Sequence, residues 1–165
     1  MASRQLKASH FSRDTLEFFE LLYKYEVEYV IVGGQAVIYY GHVRLTGDLD
    51  IFYNRDKKNI QKLYQVLQDF WFGKIPGINA PDDLDREGII VQFGVPPNRI
   101  DLINIIEAVP YADANKSKQI VEIRIGSKRI KIYYINLDLL IRNKEALSRP
   151  KDLEDLKFLK AIKNI

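Results

Sequence analysis

The sequence contains no cysteine, and this absence excludes several kinds of site. Its 165 residues cannot form a disulfide framework, a thiolate nucleophile or a cysteine-based zinc site. Histidine is nearly as scarce. The two histidines, His10 and His42, are too far apart in the sequence to indicate a zinc site or a catalytic dyad, and we interpret both as non-catalytic.

Long apolar runs are also missing. No uninterrupted run approaches the length needed to cross a bilayer, and the polar segment from Met1 to Arg13 has no apolar core of a signal peptide. We therefore expect a cytoplasmic protein with no membrane partner. Hydrophobic residues make up 47% of the chain and aromatic residues 12%, which predicts a single compact domain over 1–165.

The order of the predicted elements indicates an α+β fold. We divide the chain into an N-terminal helix (1–27), a sheet core (28–135) and C-terminal helices (136–165). Strands are predicted at 28–32, 49–53, 89–93, 100–105, 120–125 and 128–135, and core helices at 35–40 and 56–72. Asn136 caps the first C-terminal helix and Pro150 begins the second. This order predicts a mixed β-sheet packed against helices.

The most informative segment is Asp48-Leu49-Asp50, because it places two aspartates one residue apart at the beginning of a strand. Side chains alternate between the two faces of a strand, so both carboxylates would project on the same side while Leu49 points into the core. Asp101 lies inside a second apolar run, where a buried acid is costly without a cation. The three aspartates together predict a metal-dependent site for phosphoryl transfer.

A glycine pair, Gly33-Gly34, follows the first predicted strand and precedes a helix. At such a position the backbone can approach a phosphate closely and offer its amides to it. A plain tight turn explains the pair equally well. The glycines alone therefore leave both interpretations open.

Three segments together resemble the signatures of the nucleotidyltransferase fold superfamily, which includes polymerase-beta-like enzymes. These segments are Val30 to Ala36, Thr46 to Ile51 and Arg99 to Ile103. A fourth, Asn143 to Asp155, resembles the Lys…Arg-x-Lys-Asp-x-x-Asp tail of bacterial nucleotidyltransferase-like proteins of the abortive-infection and toxin-antitoxin type. The resemblance covers most of 28–160 and implies the same α+β architecture.

The resemblance also implies roles for individual residues. The catalytic and metal-binding residues would be Asp48, Asp50 and Asp101. The nucleotide-binding residues would be Gly33, Gly34, Lys144 and Asp152, with Asp152 orienting Lys144 or adding a polar contact. The implied cofactor is Mg²⁺, as two ions, with Mn²⁺ as an alternative. A nucleoside triphosphate such as ATP would be the substrate.

The implied reaction moves a nucleoside monophosphate from the triphosphate to an acceptor hydroxyl. Resemblance to toxin-type enzymes suggests tRNA or another RNA as acceptor and an antitoxin protein as partner. Enzymes of the same fold modify small antibiotics, and protein hydroxyls are a third acceptor class. The non-enzymatic alternative is a nucleotide-binding module without chemistry, against which the complete set of three aspartates argues.

Charge is distributed unevenly along the chain. Residues 116–165 contain 13 lysines and arginines against 6 aspartates and glutamates, whereas the preceding part contains 12 against 16. The basic part could face a polyanion or form a solvated surface. The predicted loop 73–88 has the opposite character, because it carries four acids that would suit a cationic small molecule: Asp82, Asp83, Asp85 and Glu87.

Overall fold

The computed structural model describes residues 8–165; residues 1–7, which belong to the polar N-terminal segment and to the predicted unit 1–27, lie outside the described residues. Its helices are α1 (Arg13–Lys24), α2 (Gly33–Tyr39), α3 (Lys57–Phe70), α4 (Tyr111–Ser117), α5 (Leu137–Leu147) and α6 (Pro150–Lys163). Its strands are β1 (Tyr29–Val32), β2 (Asp48–Tyr53), β3 (Ile90–Phe93), β4 (Arg99–Ile103), β5 (Gln119–Ile125) and β6 (Lys128–Tyr134). Over residues 8–165, no helix has both the length and the apolar character that a bilayer crossing requires.

The strands form one mixed sheet in the order β3-β4-β2-β1-β6-β5. The pairs β2/β4 and β1/β6 are parallel, whereas β1/β2, β3/β4 and β5/β6 are antiparallel. Helices α5 and α6 follow the last strand and pack against each other. The predicted α+β architecture, a mixed sheet with helices and two C-terminal helices, is therefore confirmed.

Each sheet face has its own helices. On one face, Phe18 of α1 and Phe70 of α3 contact each other edge to face, and both rings lie against Phe93 of β3. On the other face, Tyr111 of α4 contacts Phe52 of β2. Because side chains alternate along a strand, Phe52 projects on the same side as the aspartates at the start of β2.

Several helices begin where the sequence provides a capping side chain. Ser12 accepts a hydrogen bond from the Thr15 amide at the start of α1, and Asp56 accepts from Lys58 and Asn59 at the start of α3. Asn136 caps α5, and Pro150 occupies the first turn of α6, as predicted. The helix starts that these side chains predict therefore agree with the observed starts to within two residues.

Two features of the helices differ from the expectation. Helix α2 begins at Gly33 rather than after the glycine pair, so both glycines belong to its first turn. Helix α4 was not predicted, because its sequence, YADANKS, has only Ala114 buried and lacks an apolar periodicity. Its start is marked only by the preceding proline.

The segment 73–88 is anchored to the sheet rather than projecting from it. Ile75, Ile78 and Leu84 are buried, and the Tyr53 hydroxyl donates a 2.7 Å hydrogen bond to the Leu84 carbonyl. Asn104 adds a buried hub. Its amide donates to the carbonyls of Leu84 and Arg86, and its carbonyl oxygen accepts from the Gly88 amide at 2.9 Å. The side chain therefore ties the end of this segment, which includes a short 3-10 helix at Pro81–Asp85, to the residue that follows β4.

We predict that Asn104→Leu lowers the free energy of unfolding by about 3 kcal/mol, because it removes three hydrogen bonds to the backbone of Leu84, Arg86 and Gly88, each worth about 1 kcal/mol. Tyr53→Phe, which removes the bond donated to the Leu84 carbonyl and the weaker bond accepted from Asn104, should cost about 1 kcal/mol. Urea unfolding of the two variants measures both values. Equal and small losses would contradict the role of Asn104 as the hub.

Candidate active site

The site is built on one row of residues that crosses four neighbouring strands. Val32 of β1 lies opposite Asp50 of β2, Asp50 lies beside Asp101 of β4, and Asp101 lies opposite Gln92 of β3. Adjacent strands are about 4.8 Å apart, so this register alone brings Asp50 and Asp101 together. Asp48 precedes Asp50 by two residues and projects on the same face.

The three carboxylates converge as the sequence predicted. One ligand oxygen from each of Asp48, Asp50 and Asp101 lies within 4.8 Å of the other two. An all-carboxylate set of this size suits a hard divalent cation such as Mg²⁺ or Mn²⁺, so these donors fit the implied metal. Asp101 is only 5% exposed, while Leu49 between the first two is buried on the opposite face.

The electrostatics of the row also favour a cation. Burial, together with the charges of Asp48 and Asp101, raises the pKa of Asp50 to about 7. The positive charge of Lys144 acts in the opposite direction. The site therefore carries more negative charge than its surroundings compensate.

Arg99 is the cation in direct contact with these acids. Its Nη2 donates to Asp48 Oδ2 at 2.8 Å and to Asp101 Oδ2 at 3.0 Å, and its Nε donates to Asp101 Oδ1 at 2.9 Å. Hydrogen bonds from the guanidinium to Asp101 raise the pKa of Arg99, which stays charged. Gln92 donates a further bond to Asp101 at 3.2 Å. Gln92 was not predicted as a site residue, although its place between buried Val91 and Phe93 assigns it to the site face.

The glycine pair allows the backbone to approach the acids closely. A Cβ atom at Gly33 would lie 2.2 Å from Asp50 Oδ2, and Gly33 has φ of +65°, a conformation that side chains disfavour. A Cβ atom at Gly34 would lie 2.7 Å from Thr46 Oγ1. The absence of side chains at both positions therefore allows α2 to pack closely against the acidic row, the row formed by Asp48, Asp50 and Asp101. A plain tight turn would not require such close packing.

Lys144 and Asp152 form an ion pair, and it is buried. Lys144 is 3% exposed, and its Nζ lies 3.1 Å from Asp152 Oδ1 and 3.0 Å from Asp155 Oδ2. Although burial of Asp152 opposes it, hydrogen bonds from Arg149 and Lys144 hold the pKa of Asp152 below its ordinary value. Asp152 also accepts from the Arg149 amide at the start of α6. The family resemblance implied that Asp152 orients Lys144, but it implied no role for Asp155.

Asp155 connects this cluster to the loop between α2 and β2. Its Oδ2 accepts a 2.5 Å hydrogen bond from Arg44 Nη1, and both side chains are largely buried. Arg44 also lies close to Gly34, because a Cβ atom there would be 3.3 Å from Arg44 Nη2. We call Arg44, Lys144, Arg149, Asp152 and Asp155 the ionic cluster. It connects α5 and α6 to the edge of the acidic row.

A cavity of about 470 Å³ is lined by these groups, with the exception of Asp152 and Asp155. Its polar end is lined by the three aspartates, the glycine pair and five cations, Arg44, Arg99, Lys144, Arg149 and Lys151. Its other end is lined by apolar side chains, namely Ile89, Ile90, Ile103, Ile105, Ile106 and Leu147. Ile90 and Ile105 are more than half exposed, so this apolar wall is open to a ligand. One cavity therefore offers metal ligands, phosphate-binding cations and an apolar surface.

Other candidates from the sequence lie elsewhere or are already engaged. Asp83 accepts hydrogen bonds from the amides of Asn79 and Ala80, while Asp85 and Glu87 pair with Arg55. From the acidic segment 73–88, only Gly88 lines the cavity. The ring of His42 stacks on that of Phe158 at 4.6 Å, which agrees with a non-catalytic role.

We predict that Gly33→Ala displaces the Asp50 carboxylate and weakens stabilisation by Mn²⁺. Gly126→Ala is the matched control, because Gly126 has φ of +62° and nothing within 4 Å of the added Cβ. Both variants should lose about 1 kcal/mol of stability from the backbone conformation. Thermal unfolding with and without Mn²⁺ should show a reduced metal effect only in Gly33→Ala. Identical metal effects in the two variants would contradict this.

Replacing Lys144 tests the buried cluster. Lys144→Met removes the cation between two buried carboxylates and should lower the free energy of unfolding by about 3 kcal/mol. Lys151→Met, at an exposed lysine of the same cavity, should change it by less than about 0.5 kcal/mol. Denaturant unfolding of both variants makes the comparison, and a negligible loss in Lys144→Met would refute the importance of its pairs.

Comparison with known proteins assigns the chain to a family. Among curated proteins, none matches it significantly. A protein-family model described as "Nucleotidyltransferase of unknown function (DUF6036)" matches residues 14–165, which include every residue of the acidic row and of the ionic cluster. Because this match covers nearly the whole sequence, the chain belongs to the DUF6036 family of nucleotidyltransferases.

Proposed function

We propose that the protein catalyses metal-dependent transfer of a nucleoside monophosphate from a nucleoside triphosphate to an acceptor hydroxyl. The observation that carries this proposal is the convergence of Asp48, Asp50 and Asp101 within 4.8 Å at the polar end of the cavity. Membership of a nucleotidyltransferase family supports the reaction class. The roles of individual residues are our assignments.

The three aspartates would hold two Mg²⁺ ions, or Mn²⁺ in their place. When bound, the metal neutralises charge that develops on the α-phosphate and lowers the pKa of the acceptor hydroxyl. Asp48 and Asp50 would provide ligands from β2, and Asp101 would provide them from β4. We assign acceptance of the hydroxyl proton to Asp101.

The phosphates would occupy the basic side of the cavity. Gly33 and Gly34 line the cavity and would present their backbone to a phosphate, and Lys144 provides positive charge from α5. Asp152 orients Lys144 through their 3.1 Å contact. Because Arg44, Lys144 and Arg149 together face only two carboxylates, we assign Arg44 and Arg149, which line the same cavity, as additional phosphate contacts. These groups would hold the β- and γ-phosphates so that pyrophosphate leaves opposite the attacking hydroxyl.

We consider three classes of acceptor and rank them by the support that each one has. An RNA end, tRNA included, is suggested by the resemblance to toxin-type nucleotidyltransferases, and this resemblance is also the sole basis for an antitoxin partner. A small cationic antibiotic loses support, because three of the four acids in segment 73–88 already bind backbone amides or Arg55. A protein hydroxyl is compatible with the apolar wall of the cavity.

The alternative is a nucleotide-binding module without catalysis. Such a module would not need three carboxylates in mutual contact distance, because their repulsion destabilises the empty site. The complete triad therefore favours the enzyme. Binding of a triphosphate without any transfer would favour the module.

We predict that the protein transfers label from an α-labelled nucleoside triphosphate to a cellular acceptor, with Mg²⁺ or Mn²⁺ present. Separate incubation with total RNA, total protein and the small-molecule fraction identifies the acceptor class. Asp48→Asn and Asp50→Asn should each reduce transfer roughly 100-fold or more, the scale seen when one preorganised electrostatic contact is lost. Asp113→Asn, at an exposed aspartate of α4 outside the cavity, is the control and should be fully active.

The outcomes separate the hypotheses. Metal-dependent label in RNA supports an RNA nucleotidyltransferase, and label in protein or small molecules supports the corresponding alternative. Full activity in either aspartate variant would refute the assignment of the triad. Triphosphate binding without label in any fraction would support the non-catalytic module.

A further inference from the structure

Arg99 binds two of the three carboxylates that a metal ion would need. It donates three hydrogen bonds of 2.8 to 3.0 Å to Asp48 and Asp101, two of the three carboxylates that converge. A divalent cation held by these two carboxylates would compete with the guanidinium for their negative charge and would repel it. Their binding to the pair is therefore competitive.

The contacts of Arg99 with Asp101 and with Asp48 differ in the number of hydrogen bonds and in the strands that they join. Arg99 and Asp101 are two residues apart on β4 and project on the same face, and Asp101 receives bonds from both Nε and Nη2. The contact with Asp48 crosses from β4 to β2 and consists of Nη2 alone. The side chains of Arg99 and Asp48 are 31% and 26% exposed, so the guanidinium has an open path into the cavity.

We propose that Arg99 is a positioning residue that acts as the counter-cation of the empty site and releases Asp48 when the metal binds. The proposal rests on the proposed function, in which Asp48, Asp50 and Asp101 bind the metal. In the empty protein Arg99 offsets repulsion between Asp48 and Asp101 and keeps both carboxylates near the geometry the metal requires. The same contact lowers the affinity for a free ion.

A functional consequence follows for the order of binding. A free ion must displace Arg99 from Asp48 without giving the guanidinium another anion. A metal ion that arrives with a triphosphate brings anionic oxygens into the same cavity, where the guanidinium can bind them. Arg99 therefore favours loading of the metal together with the nucleotide over loading of the metal alone.

The test measures Mn²⁺ binding to the nucleotide-free protein by the electron paramagnetic resonance of free Mn²⁺. Arg99→Gln should bind Mn²⁺ roughly tenfold more tightly than the natural chain, because a competing charge-assisted contact is removed. Arg129→Gln is the charge-matched control, since Arg129 pairs with Glu122 on the β5/β6 hairpin, away from the cavity. Its Mn²⁺ affinity should equal that of the natural chain.

A second readout is the melting temperature in EDTA. Arg99→Gln should melt lower than the natural chain in EDTA and should gain more from added Mn²⁺, because the metal replaces the lost cation. Arg99→Lys keeps one charge but cannot reach both carboxylates with a planar fork, so its Mn²⁺ affinity should be intermediate. This variant retains a cation at the site and provides the test if Arg99→Gln does not fold.

These measurements distinguish failure of the Arg99 proposal from failure of the proposed metal site. If the natural chain binds Mn²⁺ and Arg99→Gln or Arg99→Lys binds it equally or more weakly, Arg99 is a necessary orienting group and the competition is refuted. If neither the natural chain nor the Arg99 variants bind Mn²⁺, the proposed metal site fails as well. Binding that appears only in the Arg99 variants supports the competition.

Discussion

Repulsion among three carboxylates at one end of the sheet is the constraint to which the rest of the site responds. The parallel register of β2 and β4 places Asp50 beside Asp101, and the two-residue period of the strand adds Asp48 on the same face. Neighbouring strands cannot separate to relieve the repulsion without breaking the sheet. Charge compensation must therefore come from side chains around the row, and Arg99 is the group that contacts two of the three acids.

The ionic cluster, in which cations outnumber acids, lies next to the acidic row. The acids Asp152 and Asp155 are surrounded by three cations, Arg44, Lys144 and Arg149, so this cluster carries one net positive charge. Removing one partner from such a cluster is costly, whereas the intact cluster contributes more to position than to stability. The cavity therefore has a negative region beside a positive one, an arrangement that matches a metal ion bound to a triphosphate.

The parts that could be predicted from the sequence are those with a local signal. Alternation around Asp48-Leu49-Asp50 fixed the direction of these side chains, and caps such as Ser12 and Asn136 fixed helix starts. The contacts of Arg99 depend on which strands are neighbours, and the sequence does not encode the order β3-β4-β2-β1 in any local pattern. The same holds for Arg44 with Asp155, which are 111 residues apart. Helix α4 was missed because it buries too little apolar surface to leave a period.

The positive charge of the C-terminal third divides into two separate places, and this bears on the acceptor. Lys144, Arg149 and Lys151 line the cavity, whereas Lys128 and Lys131 lie on the β5/β6 hairpin. Both lysines belong to β6, which β1 separates from β2, so they lie at least roughly 10 Å from Asp48 and Asp50 at the usual strand spacing. A small acceptor in the cavity would not reach the hairpin. An RNA several nucleotides long could contact both places, so dependence of transfer on the hairpin cations would be specific to a polyanionic acceptor.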